Sequence, residues 1–422
     1  MDKKVKDILQ KWLDIEFFYV ANKIGFIDKL VLADQKLVFE TIRCIDRLTY
    51  SGKNNENVNY VITLISLMWT HINRDEYDIR SFIVKVLSRI GYPTSAIIVD
   101  DLFDKEKCVF SPLNSIIDQI TAGINQSRNE VEVKGHYYLL TNFQKQIWDA
   151  MDAKVVLGIS APTSAGKSFV LLLKIVKKII EDKIDVLYIV PTLSLLNQVT
   201  EDFHDLLKKM NLSKCKISNT FTVTEKRDEN YVYVMTQEKA IAAFANEEKA
   251  FSRRMILVAD EIQNIERIRE DKDERSKILF DTLMEFRYKE NVEQIIISGP
   301  RIEEIDTLGE NIFGIETEDI STTISPVLNL TYSICKIDKK YYLKQYCVLN
   351  SEPKSEEIKN IDVISGYGKK LYNDEYLDYL TYFISGIGEN EQNIIFAPTA
   401  QTARKVAEHL SEANNGAEKN ED

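Results

Sequence analysis

Val155-Val156-Leu157-Gly158-Ile159-Ser160-Ala161-Pro162-Thr163-Ser164-Ala165-Gly166-Lys167-Ser168 opens on a β-branched run and closes on a glycine, a lysine and a hydroxyl residue. By length and composition, Val155 to Ile159 is a buried strand. Phe169 to Ile180, which follows, has helical spacing, with Lys174, Lys177 and Lys178 gathered on one face. The turn between them, Ala161 to Ser168, suits a phosphate. A triphosphate needs backbone N–H groups converging on it, and a helix N-terminus supplies several together with a favourable dipole. Thr163, Ser164, Ala165 and Gly166 would present those groups, Lys167 can reach the β- and γ-phosphates, and the Ser168 hydroxyl can ligate Mg²⁺. The strict pattern wants glycine where Ala161 stands, so the match is one residue short. The strand before it and the helix after it give the turn its weight.

The same alternation continues on the C-terminal side. Val186 to Val190, Tyr231 to Met235, Met255 to Ala259 and Gln294 to Ile297 read as further strands separated by amphipathic stretches. Strands alternating with helices predict an α/β fold with a parallel sheet covered on both faces. Asp260-Glu261 follows the strand ending at Ala259, 93 residues after Lys167. A carboxylate at the C-terminal end of a parallel strand beside a phosphate-binding turn can hold Mg²⁺ through its water shell. Glu261 can then take a proton from an attacking water. Lys167, Asp260 and Glu261 are the candidate catalytic residues.

Before this region the pattern is different. Ile8, Leu9, Trp12 and Leu13, then Leu37, Val38, Ile42 and Ile45, then Phe82, Ile83, Val86, Leu87 and Ile90 recur at helical spacing. Turn-type residues separate them, as in Ser51 to Asn55 and Gly91-Tyr92-Pro93. A helical N-terminal domain over residues 1–132 is expected, a packing or partner-binding module without chemistry of its own.

Composition bounds the rest. A chain of 422 residues predicts two or three domains. With 44% hydrophobic and 28% charged residues it is a globular protein, and 15 glycines and 8 prolines leave little room for low-complexity segments. The net charge is −12, and residues 341–422 alone carry 8 basic against 14 acidic groups. This argues against polyanion binding by the whole surface, though not by a local groove. Cys44, Cys108, Cys215, Cys335 and Cys347 form no CxxC and the four histidines do not cluster, so no zinc spacing is visible and reduced thiols are expected. Lys11, Asp14 and Glu16 interrupt what would be the apolar core of a signal peptide. The most apolar stretch, Tyr60 to Trp69, is about half of the roughly twenty residues a membrane span needs. A soluble, cytoplasmic protein with no membrane segment is expected.

Taken in order, the motifs resemble those of the superfamily 2 nucleic-acid helicases, the DEAD/DEAH-box relatives, over roughly residues 136–410. Thr141-Asn142-Phe143-Gln144 is similar to the Gln-containing motif, which implies that Gln144 contacts adenine. Ala161 to Ser168 resembles motif I, where the family often has alanine first. Pro191 to Gln198 resembles motif Ia and Met235-Thr236-Gln237-Glu238 motif Ib. Asp260-Glu261-Ile262-Gln263 resembles motif II with Gln in place of the usual fourth Asp or His, and Ser298-Gly299-Pro300 stands where the family has Ser-Ala-Thr. These two departures touch the residues that relay nucleotide state to nucleic-acid binding.

The resemblance implies a parallel-sheet, RecA-like P-loop NTPase lobe over residues 133–335, with ATP and Mg²⁺ as cofactors. It implies that Thr192 and Thr236 touch the sugar–phosphate backbone of a single strand, contacts that position without reading bases and need few lysines. Each threonine fits a structural role equally, since Thr192 precedes a helical run and Thr236 ends a strand. The recurrence of Tyr372, Tyr376, Tyr379, Tyr382 and Phe383 every three or four residues reads as a packed helix face rather than a base-stacking platform. Trp148, in register with Ile147 and Met151, also reads as packing.

Residues 336–422 are expected to be a linker and the start of a second RecA-like lobe, with a strand at Asn393 to Ala397 and a helix through Ala403, Val406, Ala407 and Leu410. The family's second lobe contributes an arginine to the γ-phosphate, and no counterpart of its arginine-rich motif is found. The resemblance therefore implies an ATP-dependent helicase or translocase whose remaining lobe comes from a protein partner or the rest of the helicase, and whose turnover alone is weak. The alternative is an ATP-binding switch that unwinds nothing. DNA and RNA both fit, because these motifs contain no reader of the 2′-hydroxyl.

Overall fold

The β-branched runs become the middle of one sheet. The structure is a computed structural model that describes residues 3–50, 54–72, 78–97, 99–100, 102–104, 109–221, 229–246, 250–269, 274–360, 366, 369–387 and 392–418. Helices α1 (Lys3–Lys23), α2 (Gln35–Tyr50), α3 (Asn55–His71), α4 (Ile79–Ile90), α5 (Pro93–Ile97) and α6 (Ile116–Ser127) come first, then a hairpin of β1 (Glu130–Val133) and β2 (His136–Leu139). The alternating region runs α7 (Asn142–Ala153), β3 (Val156–Ser160), α8 (Lys167–Asp182), β4 (Asp185–Val190), α9 (Leu193–Lys209), β5 (Cys215–Ser218), β6 (Asn230–Thr236), α10 (Gln237–Asn246) and β7 (Met255–Ala259). It continues through a 3₁₀ segment (Ile262–Arg269) to α11 (Glu274–Phe286), β8 (Val292–Gly299), α12 (Ile305–Phe313) and β9 (Glu318–Ser321). Last come β10 (Leu330–Ile337), β11 (Lys340–Cys347), β12 (Lys354–Glu357), α13 (Asp374–Ile387) and α14 (Ala400–Glu418).

Five of the six expected strands are present, in a seven-stranded sheet that pairs only in parallel, in the order β5-β6-β4-β7-β8-β3-β9. Side chains on a strand alternate between faces, and here the alternation sorts them into two cores. Val186, Tyr188 and Val190 of β4 join Leu171, Ile175, Phe203 and Trp148 on one face. Leu187 and Ile189 join Ala240, Leu283, Phe286 and Ile305 on the other. Each fully buried aliphatic side chain contributes about 1.5–3 kcal/mol, so the double cover fixes the strand register. Gly158 admits one cover, since a Cβ there would lie 2.9 Å from Ile305 Cγ2. Gln294, a polar residue inside an apolar strand, is buried because its Nε2 donates to Met151 O and Lys154 O at 2.8 and 2.9 Å, tying the end of α7 to β8.

The contacts divide the described chain elsewhere than at the expected boundaries after residues 132 and 335. One unit gathers residues 78–326 with 52–59, so α4–α6 belong with the parallel sheet. The other gathers residues 1–51, 60–77 and 327–422. In the second unit Phe17, Phe18, Ala21, Ile24 and Phe26 of the N-terminal region share a core with Leu343 and Ile358. The helical periodicity of residues 1–90 is real, but periodicity names a buried face and not what buries it.

Two further expectations are corrected. Residues 393–397 form no strand: Ile394 and Phe396 are 99% and 84% exposed, and among the described residues no strand pairs with them. Residues 330–357 form an antiparallel sheet, order β10-β11-β12, whose first turn carries Asp338 and Lys339 at φ +48° and +68°, the two-residue hairpin geometry. The three lysines of α8 share one face as expected, and Lys174 on that face is 1% exposed. The tyrosine stripe packs in part: Tyr379 and Phe383 lie against the Phe17–Phe26 core, with Phe383 6.3 Å from Phe26, while Tyr382 is 50% exposed. No helix among the described residues is long and apolar enough to cross a membrane.

Candidate active site

β3 leads into the turn that opens the site. Thr163–Ala165 makes one 3₁₀ turn, Gly166 takes φ +72°, and α8 begins at Lys167. A left-handed residue is needed there for the chain to swing into the helix, and glycine takes that conformation without steric cost. The turn is held from beneath by the residue expected at the adenine. Thr141 and Gln144 form a reciprocal cap at the start of α7, with Thr141 Oγ1 accepting from Gln144 N at 3.2 Å and Gln144 Oε1 from Thr141 N at 2.9 Å. Gln144 Nε2 is left to donate to Ala165 O and Gly166 O, both at 3.4 Å. Thr163, Ser164 and Ser168 are exposed, and Ser164 Oγ is 3.2 Å from Ser325 Oγ.

Lys167 turns back into this loop. Its Nζ donates to Ala161 O at 2.6 Å and Pro162 O at 3.3 Å, and the residue is 5% exposed. Burial pulls its pKa below the ordinary value of 10.5, while the carboxylates of Asp260 and Glu261 pull the other way. The ammonium and the two acids therefore share one electrostatic neighbourhood. Topology explains how. β8 lies between β3 and β7, with Ser160 opposite Gly299 and Ala259 opposite Ile297. At about 4.8 Å per strand, the tips of β3 and β7 are roughly 10 Å apart on the same edge of the sheet.

Asp260, 8% exposed, is fixed by three donors. Ser298 Oγ donates to its Oδ1 at 2.5 Å, the Glu261 amide to the same oxygen at 3.0 Å, and Tyr188 Oη to Oδ2 at 3.0 Å. Tyr188 is wholly buried. Its burial first, and then the Asp260 charge, raise its pKa well above 10, so it stays a donor. Glu261 adopts φ +56°, and its carbonyl accepts from Asn264 N at 3.2 Å and Nδ2 at 3.0 Å. Its side-chain Oε2 accepts a hydrogen bond from Gln263 Nε2.

Thr192 and Thr236 sit farther along the same edge, at the tips of β4 and β6, where Val190 pairs with Thr236. Thr192 is exposed and caps α9, its Oγ1 accepting from Leu195 N at 3.3 Å; Thr236 is buried. The capping role expected as one alternative for Thr192 is thus present. Arg275 of α11 joins the two tips, its Nη2 donating to Pro191 O at 2.6 Å and its Nε to Glu238 Oε1 at 2.8 Å. Burial would raise the Glu238 pKa, but hydrogen bonds from Arg275 and Thr236 outweigh it and hold the carboxyl below 4.5.

The sequence reading missed Tyr188, Ser298 as a partner of Asp260, and Arg275. A tyrosine inside Val186 to Val190 looks like strand filler, and only the oddity of one hydroxyl in an otherwise apolar run could have marked it. Arg275 carries no local signal.

Residues 141–299 match the DEAD/DEAH box helicase family. The matched stretch runs from the capped start of α7 to the tip of β8 and so includes the turn at Lys167 and the strand tip at Asp260. Among curated proteins it is similar to "Putative helicase 7" of Sulfolobus islandicus filamentous virus (isolate Iceland/Hveragerdi), 32% identical over 281 residues. The match covers 62% of this chain and 44% of the viral protein, so the chain spans less than half the length of that relative. Among solved structures it is similar to the DUF1998 helicase MrfA bound to DNA and AMPPNP (13% identity, TM-score 0.43, 65% of this chain and 36% of that one). It is also similar to the yeast DEAD-box splicing factor Prp28 (14% identity, TM-score 0.34, 44% and 47%).

Proposed function

We propose that this chain binds Mg·ATP at the edge carrying Lys167 and Asp260, hydrolyses it with Glu261 as general base, and holds a single strand of nucleic acid across the tips of β4 and β6. The observation that carries the reading is the meeting of a buried ammonium and a buried carboxylate on one sheet edge, beside a helix N-terminus. The donor set suits the cofactor. The first-turn N–H groups of a helix have no acceptors within it, which leaves those of Lys167 and Ser168 for phosphate oxygens, whereas the Ala165 amide already donates to Pro162 O at 3.0 Å; Lys167 needs only to leave its two carbonyls to meet them. Ser168, and Asp260 through water, would hold Mg²⁺, which neutralises charge on the phosphates. Glu261 would accept a proton from water, and Gln144 would couple adenine to the loop it already touches. Thr192 and Thr236 would contact the strand, and Arg275 would keep their two loops in register.

In this reading the γ-phosphate also needs the arginine of a second lobe, so strand-stimulated turnover of these 422 residues alone is slow and duplex separation belongs to the larger assembly. Equilibrium binding of a fluorescent ATP analogue with Mg²⁺, followed by single-turnover hydrolysis with single-stranded DNA and RNA, tests the core of it. Lys167→Ala should abolish binding, while Glu261→Gln should bind normally and not hydrolyse. Unchanged affinity in the first variant, or wild-type hydrolysis in the second, refutes the site.

A further inference from the structure

Two departures from the family pattern, Gln263 and Gly299, lie far apart in sequence but touch in the fold. Gln263 reaches back along its own turn and donates through Nε2 to Glu261 Oε2. Its other amide atom, Oε1, is buried with no hydrogen-bond partner among the described residues. That oxygen lies over Gly299 at the tip of β8, where a Cβ would come within 2.6 Å of it. A larger residue at position 299 would push the amide out of place.

We propose that Gln263 is the positioning residue for the Glu261 carboxylate and that Gly299 supplies the space it needs. The proposal rests on the reading above, in which Glu261 is the general base. The turn alone does not aim that base. Its main chain is pinned by Asn264, but the side chain leaves a residue at φ +56° and has several rotamers open to it. The Gln263 hydrogen bond selects one of them. It engages Oε2 and leaves Oε1 as the atom that can receive a proton. A glutamine suits the task because its NH₂ is a donor only, whereas a glutamate of the same reach would offer the Glu261 carboxylate no donor. The unpaired Oε1 costs about 1–3 kcal/mol. The structure retains it because the amide turned over would set its oxygen against the Glu261 carboxylate and lose the donor. In this proposal Gln263 acts through Glu261.

Single-turnover hydrolysis and ATP-analogue affinity, measured side by side on the full chain, test this. Gln263→Ala should slow the chemical step by about 10–100-fold, the scale of a misplaced catalytic group, with affinity and melting temperature near wild type. Gln263→Glu, the same shape with the donor removed, should slow it at least as much. Gly299→Ala should reproduce the defect, and on the Gln263→Ala background it should add nothing. Wild-type or faster hydrolysis in Gln263→Ala overturns the proposal. A Gly299→Ala defect of equal size on both backgrounds overturns the role of the glycine, because Ile302 Cδ1, also 2.6 Å from the added Cβ, would then account for it. Glu261→Gln separates this proposal from the reading beneath it. If that variant hydrolyses ATP, the general base itself is wrong. If it is dead while Gln263→Ala is normal, only the positioning claim fails.

Discussion

Gly166 does two things at once. Its φ of +72° lets the chain enter α8, and its missing side chain lets Gln144 Nε2 come close enough to bond the loop carbonyls. An added Cβ would sit 2.4 Å from that nitrogen. Gly166→Ala should therefore cost about 1–2 kcal/mol in backbone strain and displace Gln144. Nucleotide affinity should fall at least about tenfold, the equivalent of 1.4 kcal/mol, while urea unfolding shows only the smaller loss. Titration with an ATP analogue reads the affinity, and an unaltered value would show that the loop tolerates the displacement. At this scale Lys167, Asp260, Glu261 and Gly166 could be picked out as candidates because each stands in a short run next to a strand end. Tyr188 and Ser298 were not, because what matters about them is the oxygen they reach across the sheet.

Helix α8 shows how an element can follow its pattern and still mislead. Lysines at 174, 177 and 178 share a face, as the spacing predicts, yet that face packs on α7. Lys174 Nζ donates to Asp152 at 2.5 Å and lies 4.5 Å from the Trp148 ring. Its aliphatic stem fills the apolar gap while the head finds an acid and an aromatic face. Burial lowers its pKa and Asp152 partly restores it. Asp152 is itself 60% exposed, so removing the lysine strands no buried charge, whereas removing the acid does. Lys174→Met should thus be neutral or slightly stabilising, and Asp152→Ala should destabilise by about 1–3 kcal/mol, below the 3–5 kcal/mol of a fully buried pair. Urea denaturation of both variants decides it, and equal losses would show that the ion pair adds nothing beyond packing. The short polar strands β5 and β9 went unread for a related reason. At four residues each, with Lys216 or Asp319 inside, they are strands only because the sheet offers them a parallel neighbour.

At the scale of the molecule, the class of fold was legible and its partition was not. The α/β alternation could be read from residues 155–297 because β3, β4, β6, β7 and β8 are buried on both faces over most of their length and show it in composition. The first helices gave no hint that they share a core with β11 and with the residues following β12, because a helical stripe is equally apolar whichever partner covers it. The separate cores have a consequence. Phe17 is fully buried in the cluster with Phe26 and Leu343, and Leu257 is fully buried on β7, three residues before Asp260. None of the proposed ATP-site residues belongs to the unit containing Phe17. Phe17→Ala should destabilise that unit by about 3–5 kcal/mol, as read by the fluorescence of Trp12, whose indole donates to Thr41 at 2.8 Å. Nucleotide affinity should stay at the wild-type value. Leu257→Ala should destabilise by about 2–5 kcal/mol and weaken nucleotide binding as well, because the cavity it leaves loosens the strand that aims Asp260. If Phe17→Ala proves as damaging to affinity as Leu257→Ala, the ATP site draws its rigidity from both cores, and the division of labour argued here is wrong.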